Sequence, residues 1–230
     1  GVYAIFVLSL VTAVFMLAQL KQDNSIMDVF YGPIFMLSYW ATWYVTGMPG
    51  GVSLVIGGLV TLWALRLGIR IGCKNWHKPE DPRYAAWREA WSERGQLYFI
   101  VRSYLQVNLL QGLIIFWVAT PLWVTLALHD MTLSIVFIAG AVLMLAGLTY
   151  ESIADWQLDS FIARKKQGQT EKNLMTEGLF RYSRRPNYFG EALVWWGLAL
   201  AILSYSMDVW FVVLSPILIT YILTRVTGPM

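Results

Sequence analysis

Two rows of opposite charge are the residues best spaced to do chemistry. Arg66, Arg70 and Lys74 recur every four residues, which on a helix sets three cations on one face. Glu151, Asp155 and Asp159 repeat with the same period, so three carboxylates share a face elsewhere. The basic row fits membrane-edge side chains that snorkel, a reading that suits Arg70 and Lys74. It also fits an anion site. Arg66 lies about a turn and a half deeper, where a cation needs a counter-charge or a bound anion. The acidic row can neutralise the basic one, or its carboxylates can accept hydrogen bonds from ribose hydroxyls or a carboxamide.

A third group is contiguous. After Arg164-Lys165-Lys166 comes Gly178-Leu-Phe-Arg181-Tyr182-Ser183-Arg184-Arg185-Pro186-Asn187-Tyr188-Phe-Gly-Glu191. Guanidinium groups hold phosphates bidentately, and the interleaved rings can stack on bases. Pro186 opens a helix, so an anion there would also feel the helix dipole. Topology alone predicts Arg and Lys here, but not the Asn-Tyr-Phe-Gly-Glu continuation. Upstream, Lys78-Pro-Glu-Asp81-Pro82-Arg83-Tyr84 reads as a helix start with Asp81 as N-cap and Pro82 in the first turn. Trp87 and Trp91 follow at i, i+4 and belong at a membrane surface. No metal site is expected: Cys73 is the single cysteine, with no Cys/His ligand pattern around it.

The elements that must hold these groups are apolar. Hydrophobic residues make up 57% of the 230 and charged residues 13%, a balance that would leave a soluble monomer with large exposed apolar patches. Disorder is excluded by the same numbers. Stretches of about 20 mostly apolar residues can span a bilayer. Seven are expected, at residues 2–20, 27–46, 51–71, 105–126, 131–154, 189–205 and 209–223. The expectation is therefore an all-α, polytopic membrane protein, with residues 1–230 forming one seven-helix domain. Two polar stretches remain, 72–102 and 155–185, and they carry most of the 17 Lys and Arg. The turns near 47–50, 129–130 and 205–208 carry none. Positive-inside asymmetry puts both long loops in the cytoplasm and the N-terminus outside, as in a bacterial inner membrane. Short, membrane-bound loops make nucleic acid a poor partner. The oligomeric state is not fixed by these features.

The block from Gly178 to Glu191 resembles the signature of the steroid 5-alpha-reductase family, in particular its bacterial branch described as a domain of unknown function. It departs from that pattern at Arg185, where His is common. Asp28-Val-Phe-Tyr31-Gly, Leu62-Trp-Ala-Leu-Arg66-Leu, the Lys78-to-Tyr84 segment and Ala154-Asp155-Trp-Gln-Leu are similar to the same branch and occur in the same order. The resemblance implies seven helices, and reduction by NADPH of the carbon–carbon double bond of a lipophilic enone, such as a 3-oxo-Δ4 steroid. The partners implied are that lipophilic small molecule and membrane lipid. It further implies cofactor contacts from the loop after the third span, the end of the fifth span and the Arg-Asn-Tyr-Gly-Glu block. By position, Asn75 and Lys78 match a family Asn-Arg-Gly-Arg turn, with Trp76 replacing the first Arg, while Asp155, Asn187 and Glu191 match an Asp, an Asn and a Glu. The family continues beyond Gly228 into a segment that closes over the cofactor, and that segment is expected to be absent from a chain ending at Met230.

The residues agree with such a reaction. No Gly-x-Gly-x-x-Gly follows a strand pattern, so a Rossmann site is excluded. Arg66, Arg70, Lys74, Lys78, Arg164, Arg181, Arg184 and Arg185 suffice to neutralise a phosphorylated dinucleotide, and Asp81, Arg83, Tyr84, Tyr182, Ser183 and Tyr188 complete the expected cofactor set. Enone reduction also needs an acid on the carbonyl oxygen. Asp28 is the candidate, with Tyr31 one turn away on the same helical face; a carboxyl in that half-apolar setting can stay protonated and donate. Glu151 is the second candidate. Asp28 also sits near a helix start, where the dipole alone favours it. The family's mammalian members use a Gln-Glu pair and a Tyr at the ketone. The competing assignment is an S-adenosylmethionine-dependent membrane methyltransferase, which shares a distant Arg-His-Pro-x-Tyr-x-Gly block. Asn187, the Asp81-Pro-Arg83-Tyr84 segment and the Asp155-Trp-Gln run favour the reductase.

Overall fold

An apolar segment in lipid must satisfy its own backbone polar groups, which a helix does within one segment. The structure, a computed structural model, describes residues 1–75, 78–128 and 131–226. All regular elements among them are helical. Trp76, His77, His129, Asp130 and residues 227–230 lie outside the described residues. The chain forms two compact units, Gly1–Met131 and Thr132–Met230.

In the first unit, α1 (Val2–Lys21) buries Tyr3, Val7, Val11, Val14 and Ala18, one stripe at three- and four-residue spacing. Helices α2 (Ile26–Val45) and α3 (Val52–Asn75) follow. They pack through Phe35 edge-on to Trp63 at 5.3 Å, and through Tyr39, whose hydroxyl donates to the Ser53 carbonyl at 2.7 Å. Helix α3 runs a turn past its expected end, so Lys74 stays on the same helix as Arg66 and Arg70. Helix α4 (Pro82–Ser92) starts as expected: the Asp81 carboxylate accepts the Arg83 N–H at 2.9 Å, and Pro82 occupies the first turn, where its missing N–H costs nothing.

The fourth expected span differs from a plain helix. It begins earlier, as α5 (Gln96–Arg102), widens into a π-helical segment (Ser103–Leu109), and continues as α6 (Leu110–Val118). It then breaks at Ala119, and α7 (Thr120–Ala127) restarts with Pro121 in its first turn. Pro121 cannot donate to the preceding turn, so the apolar run is interrupted although its composition never changes. The α1–α2 turn is tied to α4 by Glu80. Its carboxylate accepts the Asn24 N–H at 2.7 Å and two guanidinium bonds from Arg88 at 2.8 and 3.0 Å.

The second unit is built on α8 (Ile135–Lys166) and α9 (Pro186–Leu203). The 32 residues of α8 run well past the expected end at residue 154. At 1.5 Å per residue it measures about 48 Å, against roughly 30 Å of hydrocarbon, so part of it stands clear of the apolar layer. The two helices pack backbone to backbone at glycines: a Cβ on Gly197 would lie 2.5 Å from the Met144 nitrogen. A 3-10 turn (Met207–Val213), α10 (Leu214–Tyr221) and a π turn (Ile222–Val226) complete the unit.

Among the described residues, five helical stretches are long and apolar enough to cross a membrane: Val2–Lys21, Val52–Asn75, Gln96–Val118, Ile135–Lys166 and Met207–Val226. This is the pattern of an integral membrane protein. Tyr- and Trp-rich α2, and α9 with Asn187 and Glu191 near its start, fall outside that set.

Candidate functional site

In the first unit, Asp28 lies in the first turn of α2 and meets α4 and α6. The Tyr84 hydroxyl donates to Asp28 Oδ1 at 2.8 Å. Gln111 Nε2 donates to the Tyr84 oxygen at 3.2 Å and reaches Asp28 Oδ1 at 3.5 Å. Arg83 Nη2 stands 3.5 Å from Asp28 Oδ2. The same guanidinium grips Asp81, with Nε to Oδ1 at 3.0 Å and Nη2 to Oδ2 at 3.2 Å. The cap of α4 therefore also aims Arg83, and the first turn of that helix carries Tyr84 against α2.

Tyr84 is only 5% exposed. Burial, followed by the neighbouring Asp28 charge, pushes its hydroxyl well above the usual phenol range. It therefore remains a proton-bearing donor at neutral pH. The hydrogen bond and charge of Arg83 hold the Asp81 carboxyl below its ordinary value, and Asp81 raises Arg83 in return. Tyr31 lies one turn along α2 from Asp28, with its ring edge-on to Phe35 at 5.4 Å. Three residues expected to hold cofactor, Asp81, Arg83 and Tyr84, thus gather around the expected acid. Gln111 was not foreseen. It is one of three amides in that span, with Gln106 and Asn108, and the one that reaches Tyr84.

The rest of the basic row lies on α3, with Arg66, Arg70 and Lys74 all half-buried. Asn75 and Lys78 line a cavity of about 560 Å³ in the same unit.

In the second unit, Glu151 and Asp155 are each 5% exposed on α8, and Asp159 is half-buried. Gln157, next to Asp155 in the sequence run, accepts the Leu179 N–H at 2.9 Å. Gly178 has φ +58°, and a Cβ there would lie 2.5 Å from that amide. Only glycine permits this docking of the turn on α8. Arg185 precedes α9, its N–H donating to Ser183 Oγ at 3.2 Å and its Nη1 to the Tyr188 hydroxyl at 2.8 Å. These three residues edge a cavity of about 320 Å³ whose apolar side includes Phe189, Ala192 and Leu223. Glu191 is buried and accepts the Trp195 indole N–H at 2.9 Å, and Asn187 is half-buried in the first turn of α9.

Other expected cofactor residues are placed differently. Arg164 bonds Glu177 at 3.1 Å, with Lys172 on the same carboxylate at 2.7 Å, and together these cations hold Glu177 below the usual range, Lys172 first. Arg181 is exposed, and Tyr182 is 81% exposed.

A family model described as "Protein of unknown function (DUF1295)" matches residues 14–230. A stretch of 74 residues, 32% of the chain, is 36% identical to "3-oxo-5-alpha-steroid 4-dehydrogenase 1" of Bos taurus. That stretch spans 27% of the bovine protein's length. No solved structure matches.

Proposed function

The chain belongs to the DUF1295 family, and from that premise we propose that it is a seven-span membrane reductase using NADPH to saturate the carbon–carbon double bond of a lipophilic enone, with a 3-oxo-Δ4 steroid or sterol-like ketone as the substrate class. The observation that carries this reading is the buried Tyr84 hydroxyl held by Asp28 and Gln111. The bovine relative's name, and the resemblance of the Gly178–Glu191 block to the steroid 5-alpha-reductase signature, point the same way. In this reading α2 and α9 also cross the membrane, the polar stretches face the cytoplasm and the N-terminus lies outside.

The residues present suit a phosphorylated dinucleotide. Arg185, Ser183 and Tyr188 converge on a cavity at the start of α9, the ordinary place for an anion at a helix N-terminus. In the first unit, Arg66, Arg70 and Lys74 carry charge suited to phosphates. Asp155, Asn187 and Glu191 supply partners for ribose and carboxamide. When bound, the nucleotide provides the hydride. Tyr84 then turns its hydroxyl from Asp28 to the substrate carbonyl oxygen. Gln111 keeps donating to the Tyr84 oxygen, which polarises the phenol and strengthens it as a donor. Negative charge building on the carbonyl oxygen is stabilised at that contact. Before that turn Asp28 holds the phenol in register, and the Arg83 guanidinium offsets the Asp28 charge. Glu151 is the alternative acid.

Purified protein supplied with NADPH and a 3-oxo-Δ4 steroid tests this. The expected result is oxidation of the nucleotide together with a product two mass units heavier, by the hydrogen added across the bond. Thermal stabilisation by S-adenosylmethionine, with none by NADPH, would instead identify a methyltransferase.

A further inference from the structure

The cavity at the polar ends of α1, α2 and α3 has a polarity gradient that the reductase reading does not use. All three chain segments cross it in the same sense. On α1, Leu17 gives way to Lys21; on α2, Val29 and Phe30 give way to Ser25; on α3, Gly72 gives way to Asn75, and Lys78 beyond the end of α3 also lines the cavity. One end of the cavity is aliphatic and aromatic, and the other carries two ammonium groups and the Asn75 amide. Asp23 lies at that polar end but turns to Ser25, whose N–H and hydroxyl both donate to Asp23 Oδ1. Its carboxylate is spent on the start of α2. No carboxylate is ion-paired with Lys21 or Lys78 among the described residues.

A soluble phosphate would use the lysines and leave the apolar end wet, while a neutral hydrocarbon would leave the lysines without an anion. We propose that this cavity binds the phosphate of an anionic phospholipid, with Lys21, Lys78 and Asn75 on the headgroup and the acyl chain along Leu17, Val29 and Phe30. Lysines at a membrane edge attract anionic headgroups by charge, and about 560 Å³ accommodates a headgroup with the first part of its chains. The bound lipid bridges three helices and so favours the folded state.

The test uses the full chain, freed of lipid in a neutral detergent, with unfolding temperature as the readout. Dioleoylphosphatidylglycerol is expected to raise it by several degrees, whereas dioleoylphosphatidylcholine and glycerol 3-phosphate are expected to leave it unchanged. Lys21→Gln and Phe30→Ser are each expected to remove the phosphatidylglycerol response. Lys21 is exposed, so its replacement leaves the fold intact, and Lys21→Gln is expected to keep any response to NADPH. Equal stabilisation by both lipids, a phosphatidylglycerol response that survives Lys21→Gln, or an NADPH response lost in Lys21→Gln would each overturn the proposal. The last would assign the cavity to the nucleotide. Absence of any NADPH response, with the lipid response intact, would sink the reductase reading alone.

Discussion

The Asp28 corner and the head of α9 hold similar numbers of polar side chains, but they are assembled in opposite ways. At the head of α9, Ser183, Arg185 and Tyr188 are near neighbours in sequence and bond one another within three residues. At the corner, Tyr84 reaches Asp28 across 56 residues and Gln111 reaches it across 83. The first arrangement needs only a turn and a helix start, and leaves one cation, Arg185, at a cavity, suited to holding an anion. The second needs three helices packed in register, and holds one proton-bearing hydroxyl out of water, suited to polarising a carbonyl. Under the proposed function, binding falls to a local motif and proton donation to a tertiary one.

The sharpest way to break this division is at the corner. Tyr84→Phe removes the donor, and loss of one such donor typically lowers kcat by about 10²–10³; NADPH affinity measured by titration is expected to stay unchanged. Asp28→Asn is expected to lower turnover more than it lowers cofactor affinity. A parallel fall in nucleotide affinity would move the corner into the binding site.

The support of the corner comes next. Glu80 and Arg88 are 11% and 19% exposed, and breaking a buried pair leaves an uncompensated charge. Glu80→Ala is therefore expected to cost about 3 kcal/mol, read from denaturant or thermal unfolding. No comparable loss is expected from Glu177→Ala, whose pairs with Arg164 and Lys172 are exposed.

At the head of α9, Arg181→Ala and Asn187→Ala are each expected to weaken NADPH by about tenfold, the scale of one charge-assisted or polar contact, with little change in kcat. Unchanged affinity in both variants would remove this block from cofactor binding.

The smallest effect is acid dependence. Asp81 titrates below its ordinary value in the folded protein because Arg83 holds it. Its contribution is complete above the unfolded-state value, about 3.9, and is lost as pH falls through the lower folded value. Asp81→Asn is expected to flatten the acid limb of stability slightly, measured by unfolding between neutral pH and strong acid.

Much of the framework was legible in the chain because its signals are local. Apolar runs marked α1, α2, α3 and α9 within a few residues, and Asp81-Pro82 marked the start of α4. The fourth span was less legible. It is mostly apolar but carries Gln106, Asn108 and Gln111, and the π-helical turns of Ser103–Leu109 and the break at Ala119 reset the phase of the face. A 3.6-residue period counted through that segment misplaces Gln111.

Sequence alone determined that the chain is helical and apolar and that most of its cations gather in two polar stretches, and it singled out Asp28 and the Arg181–Glu191 block as candidates. These follow from residue type, period and capping, which act within a turn or two. Only the tertiary structure decided that Tyr84 and Gln111 close on Asp28 while Arg164 closes on Glu177. Such pairings depend on how helices rotate and pack against one another, and no local propensity encodes that rotation.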